Sequence, residues 1–110
     1  MLPQFARTPP PPYYVAIFTS QRSDGDQGYA AMASRMSALA CTQAGYLGAE
    51  SCRDANGFGI TVSYWESEAA IAQWGESTAH LLVNEQGRTS WYTHFDLRIA
   101  KVERAYGMVP

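Results

Sequence analysis

The sequence predicts an α+β domain of element order β-α-β-β-α-β, and three observations predict it. Residues 57–74 read as one strand running straight into one helix. Residues 27–44 repeat apolar side chains at helical spacing. Two further apolar stretches, 13–19 and 92–103, stand at either end as strands.

Residues 1–12 close on Pro9-Pro10-Pro11-Pro12. A proline run is stiff, lacks N–H donors and cannot join a helix or a central strand. We read 1–12 as an arm outside the domain, 13–106 as the domain and 107–110 as a short tail. In Tyr13–Thr19, Tyr14, Ala16 and Phe18 point to one face and Tyr13, Val15 and Ile17 to the other. Both faces are apolar, as in a central strand covered on both sides. Asp24-Gly25-Asp26 turns the chain and can cap a helix. That helix spans 27–44, with Tyr29, Met32, Ala33, Met36, Leu39, Ala40 and Gln43 at i, i+3, i+4 spacing. Gly45 stands just past its end, where a left-handed residue stops a helix.

Tyr46–Cys52 is the second strand. Asp54-Ala55-Asn56-Gly57, with Gly59, turns it into the third, where Ile60, Val62 and Tyr64 alternate with Thr61, Ser63 and Trp65. Ser67 can cap the second helix, and Glu66 and Glu68 suit its positive end. Ile71 and Trp74 share one face of that helix. Gly75 is expected to break or kink it, with Ser77 or Thr78 capping a further segment through His80, Leu82 and Glu85 to Gly87. Tyr92–Glu103 is the last strand, with Phe95, Leu97 and Ile99 on one face and His94, Asp96 and Arg98 on the other.

With right-handed crossovers this order is the ferredoxin-like arrangement, a four-stranded antiparallel sheet with both helices on one face. The first strand is apolar on both faces, and no element remains to cover the second. A second copy, packed sheet against sheet as a homodimer, is the economical cover.

The chain has 110 residues, enough for one modest core. Hydrophobic residues make up 46% and charged ones 16%, so the chain is globular, and 13% aromatic content favours a pocket or an interface. A net charge of −2 with dispersed Arg22, Arg35, Arg53 and Arg88 argues against nucleic acid as a partner. No apolar run approaches membrane-spanning length, and the N-terminus lacks the apolar region of a secretory signal. We read Cys41 and Cys52 as buried free thiols of a cytoplasmic protein, with a disulfide left open.

No standard catalytic signature is present: no nucleophile elbow, phosphate loop, dinucleotide fingerprint or zinc-protease helix motif. His80 and His94 have no ligand at metal spacing, so no metal site is expected. His80 is either a partly exposed helix histidine or a proton carrier at a pocket between helix and sheet, a role its near-neutral pKa suits. Trp74 is core or pocket wall. Tyr64 shares a face with Ile60 and Val62, and its hydroxyl needs a partner if buried. His94, Asp96 and Arg98 read as interfacial polar pairs rather than a catalytic cluster.

Several pieces in order resemble the antibiotic biosynthesis monooxygenase family of dimeric α/β barrels. They are Tyr14-Val-Ala-Ile-Phe18, Ala44-Gly-Tyr-Leu-Gly48, Val62-Ser-Tyr-Trp-Glu-Ser-Glu68, then Trp74 and His80, and finally Trp91-Tyr92 with Val102-Glu-Arg-Ala-Tyr106. The resemblance implies a ferredoxin-like protomer, a homodimer and a pocket between helices and sheet. It also implies a cofactor-independent monooxygenase acting on an aromatic or quinone-like molecule, whose anion reacts with dioxygen directly. Such a site needs a dry apolar pocket, a proton acceptor and donors for the oxyanion. On this resemblance Trp74, Phe18 and Tyr64 are candidate walls and His80 the candidate acid/base, with no cofactor. The alternative is a non-catalytic dimeric binding protein for a hydrophobic ligand or haem. Haem-degrading relatives use an Asn on the first strand, where this chain has Phe18, Thr19 and Ser20, and their His lies farther from the Trp.

Overall fold

The structure, a computed structural model, describes residues 4–26, 28–84 and 91–108, and of residues 79–84 the backbone alone. The elements are β1 (Tyr13–Arg22), α1 (Tyr29–Ala40), β2 (Tyr46–Arg53), β3 (Phe58–Trp65), α2 (Glu68–Asn84) and β4 (Tyr92–Val102). They form one four-stranded sheet of order β2-β3-β1-β4 in which every neighbouring pair is antiparallel. The ferredoxin-like order read from the sequence is the order observed.

β1 lies inside the sheet and runs three residues beyond the expected Thr19, because β3 and β4 both pair with it as far as Gln21. α1 is shorter than the expected 27–44. Gly28, at φ 86°, starts it, and Asp26 accepts from the Gly28 and Ala30 N–H groups through its two carboxylate oxygens. It ends at Ala40, after which Thr42 and Gln43 close tight turns onto the Leu39 and Ala40 carbonyls. Gly45, at φ 85°, then allows a close approach: a Cβ there would lie 2.8 Å from the Cβ of Ala70.

The hairpin between β2 and β3 is tied by Asp54, whose carboxylate accepts from the Asn56 and Phe58 N–H groups. Gly57 takes the left-handed turn position at φ 91°. Gly59 is not part of the turn as expected; it lies within β3. Ser67 caps α2 as expected, accepting from the Ala70 N–H at 3.1 Å. Gly75 does not break α2, which is continuous from Glu68 to Asn84. Ser77 and Thr78 start no new segment; their hydroxyls donate back to the carbonyls of Gln73 and Trp74 inside the same helix. The expected continuation through Glu85 and Gly87, with Arg88, lies outside the described residues.

The cross-strand register fixes the faces, since directly paired residues point to the same side. Tyr14, Ala16, Phe18 and Ser20 share a face with Trp65, Ser63, Thr61 and Gly59, and with Ala49, Ser51 and Arg53. α2 packs on this face: Ala70 and Ile71 form the core with Ala16 and Trp65, and Tyr14, Tyr46 and Trp74 pack against it. The apolar side of β3's alternation, Ile60, Val62 and Tyr64, therefore faces away from the helices. Phe58 and Ile60 remain 48% and 41% exposed there.

Two hydrogen bonds join residues of the arm to the sheet. The Ala6 N–H donates to Glu50 at 2.9 Å, and the Thr8 hydroxyl to that of Tyr13 at 3.1 Å. Cys41 and Cys52 are free, and both are exposed rather than buried as expected. Cys41 follows the short α1, and Cys52 pairs with Ile60 on the helix-free side. No helix among the described residues is long and apolar enough to cross a membrane.

Candidate functional site

The helix side of the sheet has a floor of small side chains, Ala49, Ser51, Thr61 and Ser63, with Gly59 at one end. Ala49 and Ser51 are exposed although they lie on the helix-bearing side, so the β2 part of the floor is open to solvent. Two aromatic groups stand on it. In the first, Trp65 is fully buried, with Tyr46 edge-on at 5.4 Å and Trp74 tilted at 5.8 Å between ring centres. In the second, Phe18 meets Tyr92 edge-on at 5.4 Å and Phe95 at 5.3 Å, and Tyr29 meets Tyr92 edge-on at 5.7 Å.

The second group ends at two cations. Arg22 leaves the end of β1, and its guanidinium stacks 3.8 Å over the Tyr29 ring centre. Arg53 leaves the end of β2 and crosses Gly59, where a Cβ would lie 2.7 Å from its guanidinium carbon. Only glycine leaves that path open. Arg53 then donates to the Gly57 carbonyl at 2.6 Å, the Ser20 hydroxyl at 2.9 Å and the Tyr29 hydroxyl at 3.2 Å. Ser20 is only 2% exposed, and this bond satisfies its hydroxyl. Burial, foremost, and a hydrogen bond with Tyr29 push the Tyr92 hydroxyl well above the usual phenol range, while Arg53 and Arg22 pull it down. Tyr92 is therefore a neutral hydroxyl at physiological pH.

Of the residues singled out from sequence, Phe18 and Trp74 lie on this face, one in each aromatic group. Tyr64 lies on the opposite face. Its hydroxyl donates to Glu50 at 2.6 Å and its ring meets Tyr13 edge-on at 5.8 Å. His80 lies on α2, but its side chain falls outside the described residues. In an unbroken helix its Cα is about 120° around the axis from that of Trp74. His94, Asp96 and Arg98 are exposed on β4, with His94 3.2 Å and Arg98 3.9 Å from the Asp96 carboxylate. Exposed pairs of this kind contribute at most about 1 kcal/mol. Among the described residues, no group of three or more His, Cys, Asp or Glu could hold a metal ion.

Sequence reasoning missed Arg22, Arg53, Tyr29 and Tyr92 as a group. The one available signal was the glycine two residues after the Asn-Gly turn, which marks close approach inside a strand.

Comparison with known proteins adds a family and a fold. The family model described as antibiotic biosynthesis monooxygenase matches residues 12–86, which takes in every element except β4. The uncharacterized protein YqjZ of Bacillus subtilis (strain 168) is 49% identical over 104 residues, covering 94% of this chain and 91% of that one. Among solved structures, SO0527 from Shewanella oneidensis superimposes with a TM-score of 0.71 at 13% identity, covering 86% of this chain and 94% of that one. SnoaB from Streptomyces nogalater, described as a cofactor-independent oxygenase, superimposes with a TM-score of 0.64 at 11% identity, covering 91% and 99%. At these identities the structural likeness is one of fold.

Proposed function

This chain belongs to the antibiotic biosynthesis monooxygenase family, and from that premise we propose that it is a cofactor-independent monooxygenase acting on an aromatic or quinone-like small molecule. One observation carries the proposal: the edge-to-face cluster of Phe18, Tyr29, Tyr92 and Phe95, beside a floor of small side chains, ends at two guanidinium groups. Ring faces accept a planar ligand, and fixed cations favour its deprotonated form.

The reaction we have in mind balances without a further reductant. An anthrone loses a ring-carbon proton to a base and becomes an enolate. That carbon gives its electrons to dioxygen and forms a C–O bond. Loss of the second C–H proton breaks the O–O bond, giving a quinone carbonyl and water. His80 is our candidate acid/base, and Phe18 and Trp74 are our candidate walls. Tyr64, held by Glu50 on the other face, is left outside this site.

We further take the protein to be a homodimer joined through the helix-free sheet faces. The exposure of Phe58 and Ile60 and the outward Val62 and Tyr64 support this. A monomeric mass by light scattering at micromolar concentration would remove it. Exposed free thiols are in keeping with the cytoplasm.

A second reading is a non-catalytic binding protein for a hydrophobic ligand or haem. Among the described side chains, the aromatic and cationic cluster contains no imidazole or carboxylate to act as base, which favours it. Oxygen uptake by the purified, metal-free protein with anthrones and hydroquinones, with haem absorbance followed in parallel, separates the two. Saturable uptake above the uncatalysed rate, lost in His80→Ala, supports the oxygenase. No uptake with a new haem spectrum supports the binding protein.

A further inference from the structure

We propose that Arg53, Tyr29 and Tyr92, with Arg22 stacked behind them, form a site for the anionic oxygen of an aromatic ligand, a phenolate or enolate whose ring lies against Phe18 and Phe95. The oxygenase reading supplies only the step that follows; the binding proposal stands on the geometry.

The first argument is the charge balance. Arg53 donates only to neutral acceptors: the Gly57 and Ser20 carbonyls and the Ser20 and Tyr29 hydroxyls. Arg22 likewise donates to the carbonyls of Trp91 and Gly25 and to the Ser23 hydroxyl. Among the described residues neither guanidinium has a carboxylate at ion-pair distance. Two carboxylates of the adjoining loops accept from backbone N–H groups instead, Asp26 from the first N–H groups of α1 and Asp54 from those of its own turn. Two like charges thus share one phenol ring, 3.8 and 5.8 Å from its centre, with no carboxylate of the described residues paired to either. Half-buried cations without a counter-charge are unfavourable, and an anion placed there relieves this.

The second argument is a count of protons. Tyr29 accepts from Arg53 at 3.2 Å, and Tyr92 lies edge-on to its ring at 5.7 Å. A phenol hydroxyl that accepts one bond still has its own proton to donate. A hydroxyl that already accepts from a cation is a stronger donor, because linked bonds polarise one another. That proton is therefore a preorganised donor for an oxyanion. Phe18 and Phe95, both touching Tyr92, supply ring faces next to it.

A purely structural clamp, in which Arg53 only ties the hairpin to β1, predicts no preference for an anionic ligand. The test uses 4-nitrophenol, whose visible phenolate band reports its charge, with 4-nitroanisole as the neutral control. Titration across the phenol pKa in the presence of wild-type protein should show phenolate bound about tenfold more tightly than phenol, a pKa lowered by about one unit. Arg53→Gln should remove the preference. If that variant fails to fold, Tyr29→Phe keeps the ring under Arg22 and removes only the hydroxyl, and the preference should fall about threefold or more. Arg98→Gln, on the exposed opposite face, should leave it unchanged. Equal affinity for both forms in the wild type, or a preference retained in Tyr29→Phe, overturns the proposal. Oxygen uptake with an anthrone, measured on the same proteins, keeps the two claims apart. Uptake without phenolate preference leaves the oxygenase standing and removes this site. Phenolate preference without uptake does the reverse.

Discussion

Replacing Gly75 by Ala should stabilise the protein. Gly75 lies in the interior of a continuous helix, outside the glycines with positive φ, and is exposed. A Cβ built there meets nothing within 4 Å. The methyl group therefore costs no packing, and the gain is the difference in helix propensity plus the freedom removed from the unfolded chain. In a helix interior that is about 0.9 kcal/mol. For 110 residues, an unfolding entropy of about 0.23 kcal/mol/K converts this into a rise of about 4 °C in Tm. Thermal melts followed by circular dichroism, at one protein concentration because an oligomer would make Tm concentration-dependent, measure it directly. Urea melts should show a higher midpoint at unchanged slope. An unchanged or lowered Tm would refute the reasoning, because it would mean that the native helix uses the backbone freedom of Gly75.

Gly45→Ala should destabilise by about 2 kcal/mol, since it combines a left-handed backbone with a Cβ 2.8 Å from that of Ala70, and urea midpoints at unchanged slope would measure the loss. Burial, then the hydrogen bond to Glu50, raises the Tyr64 hydroxyl from 10.0 to about 12. A group whose folded pKa is raised stabilises below its unfolded pKa, so this contribution is whole below pH 10 and fades between 10 and about 12. Stability measured across that window should therefore decline less steeply in Tyr64→Phe than in wild type. Removing residues 1–8 takes away the bonds from Ala6 and Thr8, and should lower stability by about 1 kcal/mol while leaving the strand content by circular dichroism unchanged.

The order of elements was legible because the local signals agreed with the global arrangement. Asn56-Gly57 makes the turn, Ser67 caps α2, and Asp26 caps α1. The direction of β3 was harder to read. Its apolar alternation, Ile60, Val62 and Tyr64, faces away from the helices, and period two alone cannot say which face of a sheet the helices take. Gly75 misled for the opposite reason. Helix propensity is a weak prior, and contacts of Ala70, Ile71 and Trp74 with the sheet outweigh a penalty of about 1 kcal/mol. Arg22 and Arg53 looked dispersed because they are far apart in the chain. Pairing of β1 with β3 and of β3 with β2 places their strand ends side by side, a relation that no local pattern carries.

The floor beneath the helices has a consequence for how such a protein changes over time. Its four small side chains, Ala49, Ser51, Thr61 and Ser63, come from two neighbouring strands; Ser63 is tied to the core by accepting from the Trp65 indole N–H at 2.9 Å, while the other three lie outside that core. Ser51 and Thr61 are joined only by a hydroxyl–hydroxyl bond of 2.7 Å. Ala49, Ser51 and Thr61 can each gain or lose a methyl or hydroxyl group by a single substitution without touching the core that holds α2, whereas Ser63 is fixed by the buried Trp65 N–H it satisfies. The volume and polarity offered to a ligand can therefore drift in small steps while stability stays nearly constant. A lineage built on this scaffold can explore new cargo at little risk to its own folding.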